Sequence, residues 1–293
     1  MNASKMAKNA PVRALLTGFP GTGKTGCLAA LANAGFKLRV LDFDGNPESL
    51  LQYSTRAGLK NIDIMSFEDP QAFVGNYVGT KGPPMAFIKC LKALDSWKYT
   101  DPDGAEVDLG ASASWGPDTV VVLDGLTGLS QACFARAQAM MNKNPTNTTQ
   151  AVWGLAIQDQ ANFIRRLTAA GNRHHVVAIS HLKMIGPKAI EQGDNQSNAE
   201  LKERLIDLVP TRYFPTALGQ QLPQTICGEF PIVLNATVNV KGPKVKRALR
   251  FQPVEEMDLK LPAPAKALEG LADLGVEDGM LRVFDAMGVS RPG

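Results

Sequence analysis

The 293-residue chain has only four cysteines, Cys27, Cys90, Cys133 and Cys227, and none of them forms a C-x-x-C pair. That scatter offers neither a zinc ligand set nor a disulfide framework, and it fits a reducing compartment. No apolar run reaches the roughly 20 residues that a bilayer-crossing helix needs. The first ten residues are polar and lysine-bearing and lack the apolar stretch of a secretory signal, so they read as a loose arm. There is no internal repeat and no long low-complexity tract. Charge of either sign is in short excess, +3 overall, which permits contact with nucleic acid without arguing for it. These absences argue against a disulfide-stapled secreted domain, a helical membrane protein and a repeat array. They leave a cytoplasmic globular chain, 44% apolar, long enough for one large domain or two small ones.

What is present is Gly18-Phe19-Pro20-Gly21-Thr22-Gly23-Lys24-Thr25, a match to the phosphate-binding pattern G-x-x-x-x-G-K-[ST]. Residues 12–17 before it are mostly apolar and predict a short buried strand. Residues 26–34 after it are small and apolar and predict a helix. Strand, glycine loop and helix is the context this chemistry requires. Glycines let the backbone wrap a triphosphate, so that amide N–H groups and the helix N-terminus face the negative oxygens. The cradle would comprise Gly18, Pro20, Gly21, Thr22, Gly23, Lys24, Thr25 and Gly26. Lys24 can reach the β- and γ-phosphates, and the Thr25 hydroxyl can ligate Mg²⁺. The alternative is a glycine-rich turn that binds nothing.

Strands are expected at 37–43 and 61–66, and a helix at 83–94 with Pro83 in its first turn. Residues 97–109 predict a surface hairpin turning at Asp103-Gly104, within an insertion spanning 95–112. The β-branched run at 119–123 suits a strand buried on both faces. A helix at 126–141 and a polar, breaker-rich loop at 142–150 follow. A second long helix is expected at 151–170, with Trp153, Ile157, Ala161 and Ile164 on one apolar face. A buried strand at 176–180 leads directly into His181. Residues 183–214 read as a loop that is partly helical at 199–209. A helical turn at 223–228, two strands at 232–240 and 245–251 joined as a hairpin, and a last helix at 279–287 complete the chain. Alternating strands and helices around a P-loop predict an α/β fold with a mostly parallel central sheet and helices on both faces. The division expected is an arm at 1–10, an ATPase core at 11–256 and a helical tail at 257–293.

A P-loop needs a partner acid. Asp124 ends V-V-V-L-D, the Walker-B pattern, and would stand at the same sheet edge to hold Mg²⁺. A strand-ending Asp is otherwise a helix N-cap. Asp44 lies at the carboxyl end of the expected second strand, where ligands of open α/β sheets bind. A carboxylate there can activate the attacking water. Asp42 is two residues away and competes for that role. Asp44 is preferred because it lies further past the strand end, against the reading that it merely opens the D-G-N-P turn.

At these residues the chain resembles the RecA-type recombinase ATPases. The segments that carry the likeness are W-G-L-A-I-Q at 153–158, V-V-A-I-S-H-L-K-M-I-G at 176–186, L-D-F-D-G at 41–45 and V-V-V-L-D-G-L-T-G-L at 120–129. Its length is similar to the compact phage-encoded Sak single-strand-annealing proteins. The resemblance implies an ATPase using ATP and Mg²⁺, with Lys24, Asp44, Asp124 and His181 catalytic and Thr25 and Asp124 holding the metal. It implies DNA-binding loops at 142–150 and 183–215, and an ATP site shared between neighbouring copies. Single-stranded DNA, further copies of the chain in a filament or ring, and a single-strand DNA-binding protein are the implied partners, with no membrane. His181 stands where the family has glutamine, and Asp44 where it has a longer acid. The unbalanced cations are Lys241, Lys244, Lys246, Arg247 and Arg250 in the final hairpin. Lys241 and Lys244 are the candidates for a cation reaching a neighbour's site, against the reading of a solvated basic hairpin. A helicase loader or packaging motor, and a small-molecule kinase, are the competing functional readings.

Overall fold

The computed structural model describes residues 10–74, 77–141, 148–185, 212–241, 244–252, 254, 256–262, 265, 268 and 273–292. Its centre is a mixed sheet of eight strands. In chain order the strands are β1 (Arg13–Gly18), β2 (Lys37–Asp42), β3 (Ile62–Ser66), β4 (Gln71–Val74), β5 (Tyr77–Thr80), β6 (Lys98–Thr100), β7 (Glu106–Asp108), β8 (Thr119–Asp124), β9 (His175–Ser180), β10 (Leu182–Ile185), β11 (Arg212–Pro215), β12 (Ile232–Lys241), β13 (Lys244–Arg250) and β14 (Leu274–Gly275). The sheet runs β14-β13-β12-β1-β9-β8-β2-β3. From β12 to β3 every pairing is parallel, and only the β12–β13 and β13–β14 pairings are antiparallel. This is the mostly parallel α/β arrangement expected from the sequence.

The continuous apolar runs of β1, β8 and β9 follow from burial on both faces. Val121 and Leu123 point into one hydrophobic layer, Val120 and Val122 into the other. The helices are α1 (Ala29–Asn33), α2 (Glu48–Tyr53), α3 (Arg56–Leu59), α4 (Ala86–Asp95), α5 (Leu126–Met140), α6 (Gln150–Leu167), α7 (Gln221–Thr225) and α8 (Gly279–Ala286). Helices α4, α5 and α6 cover the first layer, through Phe87, Leu129 and Phe163. Helices α1 and α8 cover the second, where Phe36 meets Phe284 edge to face with centroids 5.3 Å apart. Residues beyond 257 therefore contribute Leu274, Met280 and Phe284 to the second layer.

Several expectations are corrected. The helix after the P-loop opens as a 3₁₀ turn at Gly26–Leu28 before α1. Helix α4 begins at Ala86, not at Pro83, because Asp69 Oδ1 accepts the Met85 and Ala86 backbone N–H groups at 2.6 and 2.9 Å and so caps it there. The buried residues of α6 are Val152, Ala156, Gln160, Phe163, Ile164 and Leu167. Of the expected face, Ile164 is buried and Ile157 and Ala161 pack partly buried against the first layer, while Trp153 is exposed. The face is turned away from Trp153 toward Gln160, which is buried with its hydrogen bonds met. Its Nε2 donates to Ser130 Oγ at 2.8 Å, and its Oε1 accepts from Leu218 N at 3.0 Å. The hairpin at 97–109 is present as β6 and β7. The hairpin β4–β5 and the antiparallel pair β10–β11 were not anticipated. Within the expected DNA loops, residues 142–147 and 186–211 lie outside the described residues.

Candidate active site

The carboxyl ends of β1, β2, β8 and β9 meet at one sheet edge. Register places Asp42 opposite Asp124 and Thr17 opposite Ser180. From that edge the P-loop, Asp44, Asp124 and His181 open onto a cavity of about 460 Å³. Lys24 is nearly buried and folded back on its own loop: Nζ donates to Gly18 O at 2.9 Å and to Phe19 O at 3.0 Å. Burial lowers its pKa, opposed by the charges of Asp124 and Asp44. Phosphate oxygens at the loop would compete with those two carbonyls for the ammonium.

Asp124 is 4% exposed. Burial first, and then the charge of Asp44, push its carboxyl up to about 7. Thr25 Oγ1 lies 3.4 Å from Asp124 Oδ1. Mg²⁺ typically takes one or two protein oxygens and fills its octahedron with water and phosphate. The Thr25 and Asp124 oxygens fit that donor set. Among the described residues no group of three or more His, Cys, Asp or Glu side chains forms a self-contained metal cage. A bound Mg²⁺ would neutralise phosphate charge, and Thr25 and Asp124 are the residues that would hold it.

The two aspartates of β2 differ sharply in their surroundings. Asp42 is 1% exposed and its acceptors are used. Oδ1 accepts from Asp44 N and Gly45 N at 3.1 and 2.8 Å, and Oδ2 accepts from Ser66 Oγ at 2.9 Å. It fixes the turn that carries Asp44. Asp44 lines the cavity, and its Oδ2 is 3.7 Å from His181 Nε2. Burial raises the Asp44 carboxyl above its ordinary value, opposed by the His181 ring. His181 Nδ1 faces Lys24 Nζ at 3.4 Å. That contact suits a neutral ring with its proton on Nε2, toward Asp44. Burial, and then the Lys24 charge, hold the His181 pKa below its usual value.

The structure thus brings together Lys24, Thr25, Asp44, Asp124 and His181, and it leaves Lys244 exposed, outside the lining of this cavity. The Lys241 backbone pairs with Lys244 across the hairpin. Sequence reasoning placed Arg247 in the basic run but did not place it at the P-loop, where it is found. Its strand parity with buried Leu249 was the available signal. Tyr53 of α2, also unassigned from sequence, lines the same cavity.

Residues 10–261 match the family described as AAA domain (AAA_24). The chain belongs to this AAA domain family. Its coarse function follows: it is a P-loop ATPase domain that binds ATP with Mg²⁺. Two solved structures are similar to the AAA domain chain. One is the KaiC-like protein PH0186 from the hyperthermophilic archaeon Pyrococcus horikoshii OT3, 12% identical, covering 86% of this chain and 83% of that one, with a TM-score of 0.38. The other is the flagellar accessory protein FlaH from Methanocaldococcus jannaschii, 9% identical, covering 83% and 78%, with a TM-score of 0.35. No curated protein matches. No helix of the AAA domain, among the described residues, is long and apolar enough to cross a membrane.

Proposed function

We propose that this AAA domain hydrolyses Mg²⁺-ATP to ADP and phosphate in order to act on single-stranded DNA as an oligomer, in recombination or strand annealing. The observation that carries the hydrolytic part is the convergence on one cavity of Lys24, the Thr25–Asp124 pair and the Asp44 carboxylate, which faces His181. Lys24 holds the terminal phosphate, and Asp44 orients the attacking water and draws its proton.

The DNA part is supported by the RecA-like segments at 153–158 and 176–186. It is also supported by a chain of backbone contacts leading from the site. His181 O accepts from Thr216 N at 2.8 Å, directly after β11. Strands β10 and β11 bracket residues 186–211, the segment that the resemblance makes a DNA loop. Exposed Lys244 and Lys246 on β13 add a basic surface. The likeness to compact phage-encoded annealing proteins supports action in the host cytoplasm, alongside a single-strand DNA-binding protein.

The test is ATP hydrolysis measured with and without single-stranded DNA, together with the size of the assembly. Stimulation by single strands without strand separation is expected. Stimulation coupled to unwinding or translocation points instead to a motor or loader. Phosphate transfer to a small molecule, with no effect of DNA, points to a kinase.

A further inference from the structure

Strand β1 ends at Gly18, opposite Ala236, but its neighbour β12 continues five residues further, to Lys241. The β12–β13 hairpin therefore overhangs the edge where the P-loop sits. Its tip carries Lys244. Its base carries Arg247, opposite Val238. Arg247 Nε donates to the P-loop carbonyl of Gly21 at 3.1 Å. Its Cδ lies 3.1 Å from where a Cβ on Gly23 would stand, so the glycine also makes room for the arginine. Among the described residues no ion pair holds Arg247, whereas Arg250, three residues on, pairs with Asp273 at 3.6 Å. Arg247 is half-buried and lines two cavities. One is the phosphate cavity. The other, of about 300 Å³, is walled by Ala30, Tyr53, Val276 and Glu277. The two cavities also share Gly23 and Tyr53.

We infer that Arg247 binds the polyphosphate of the nucleotide held by its own chain, between a terminal phosphate at Lys24 and a nucleoside end in the adjoining cavity. The inference rests on the nucleotide reading of the phosphate cavity. A guanidinium has five N–H donors in a planar fork. Nε can keep the loop carbonyl while the Nη groups meet phosphate oxygens, and a lysine at this position cannot do both. The contact is to phosphates present in ATP and in ADP, so it serves binding and not the reacting bond. A cation from a neighbouring copy that acts on the transferring phosphoryl group would behave in the opposite way.

The test titrates a fluorescent ADP analogue and ATP into wild type, Arg247→Ala, Arg247→Gln, Arg247→Lys and Lys244→Ala, and measures kcat and KM. Arg247→Ala and Arg247→Gln should weaken ADP and ATP alike by about tenfold to a hundredfold, the usual worth of a charged hydrogen bond. Arg247→Lys should recover part of that loss. The change should appear in KM with kcat largely kept, and Lys244→Ala should leave affinity unchanged. Arg247→Ala co-produced with Lys24→Ala should show no activity beyond that of its Arg247→Ala chains alone at the same ATP concentration, because the Lys24→Ala chains lend those sites no arginine. Unchanged ADP affinity in both Arg247→Ala and Arg247→Gln overturns the inference. So does activity regained in the mixture, which would place Arg247 at the neighbour's site. A wild-type chain that binds no adenine nucleotide, or a Lys24→Ala chain that hydrolyses normally, overturns the cavity reading itself.

Discussion

The Asp44 carboxylate fills the space that a side chain on Gly125 would occupy. Gly125 follows Asp124 at the end of β8, has a φ of 100°, and opens helix α5. A Cβ there would collide with Asp44, and a left-handed backbone already disfavours one by about 1–2 kcal/mol. The absent side chain at 125 and the acid at 44 are one packing solution: the carboxylate occupies the space that the glycine leaves. Replacing Gly125 by Ser should displace Asp44 and reduce kcat as severely as changing Asp44 itself. Crystallography of the variant would show the displaced carboxylate. An unchanged kcat in Gly125→Ser would count against any role for Asp44.

Asp44→Asn should retain nucleotide affinity and slow hydrolysis by on the order of 10²–10⁴, the worth of a positioned base. Asp42→Asn should act on stability instead. The Asp44 and Gly45 amides and the Ser66 hydroxyl would lose a charged acceptor, each such bond being worth about 1.5–3 kcal/mol. Thermal melting and turnover measured on both variants separate the two aspartates. A large kinetic loss in Asp42→Asn with a mild one in Asp44→Asn reverses the assignment.

Lys24, Thr25 and Asp124 were legible in the sequence because local pattern fixes them: a strand, a glycine loop, a strand end. Arg247 was not, since its contact with Gly21 spans 226 positions and depends on how far β12 outruns β1. The place of Gln160 on the buried face of α6 was missed for a related reason. Gln160 reads as polar and outward until Leu218, 58 residues later, supplies the N–H that satisfies it indoors. Strands β10 and β11 were hidden in the same way, because they pair across residues 186–211 and neither carries an alternating pattern.

Lys24→Ala should abolish hydrolysis, since the terminal phosphate loses the one nearly buried cation that lines the cavity among the described residues. Phosphate release measured at saturating ATP checks this. Charge removal at Lys241 or Lys244 should lower ATPase activity only if the hairpin tip reaches a neighbour, and mixing with Lys24→Ala chains should then restore part of it. No recovery in mixed assemblies counts against a shared site at the tip.

The Asp124 carboxyl, pushed up to about 7, gives the site a pH signature. Only the carboxylate ligates Mg²⁺, so below 7 a proton must leave before the metal binds. Mg²⁺-dependent nucleotide affinity should rise about tenfold per pH unit toward 7 and flatten above it. Asp124→Asn removes that component and so separates it from titration of the phosphates. Stability of the metal-free chain should run the other way. The folded pKa is raised, so the native state holds more protons than the unfolded state from about 4 to 7, and stability falls as pH rises through that window. Melting curves across it, with and without Mg²⁺-ATP, read both effects.

His181 should couple the nucleotide to residues 186–211. Its ring stands between Lys24 and Asp44, and its carbonyl takes the Thr216 N–H at the end of β11. When Lys24 turns to a terminal phosphate, the ring loses its donor at Nδ1 and is held from the Asp44 side. Ser180 Oγ adds a second tie: it accepts from Thr216 N at 2.9 Å and donates to His181 O at 2.8 Å. A small rotation of the ring is thus passed to both strands that bracket the segment. In the competing case His181 merely ends β9 through its backbone, and the side chain is dispensable. His181→Ala should therefore bind ATP nearly as wild type does, yet show the same affinity for single-stranded DNA with ADP as with a non-hydrolysable ATP analogue. Fluorescence anisotropy on a labelled oligonucleotide measures the difference. If the variant keeps the wild-type gap between the two nucleotides, the ring is not the link, and the Thr216 contact serves only to close the strand.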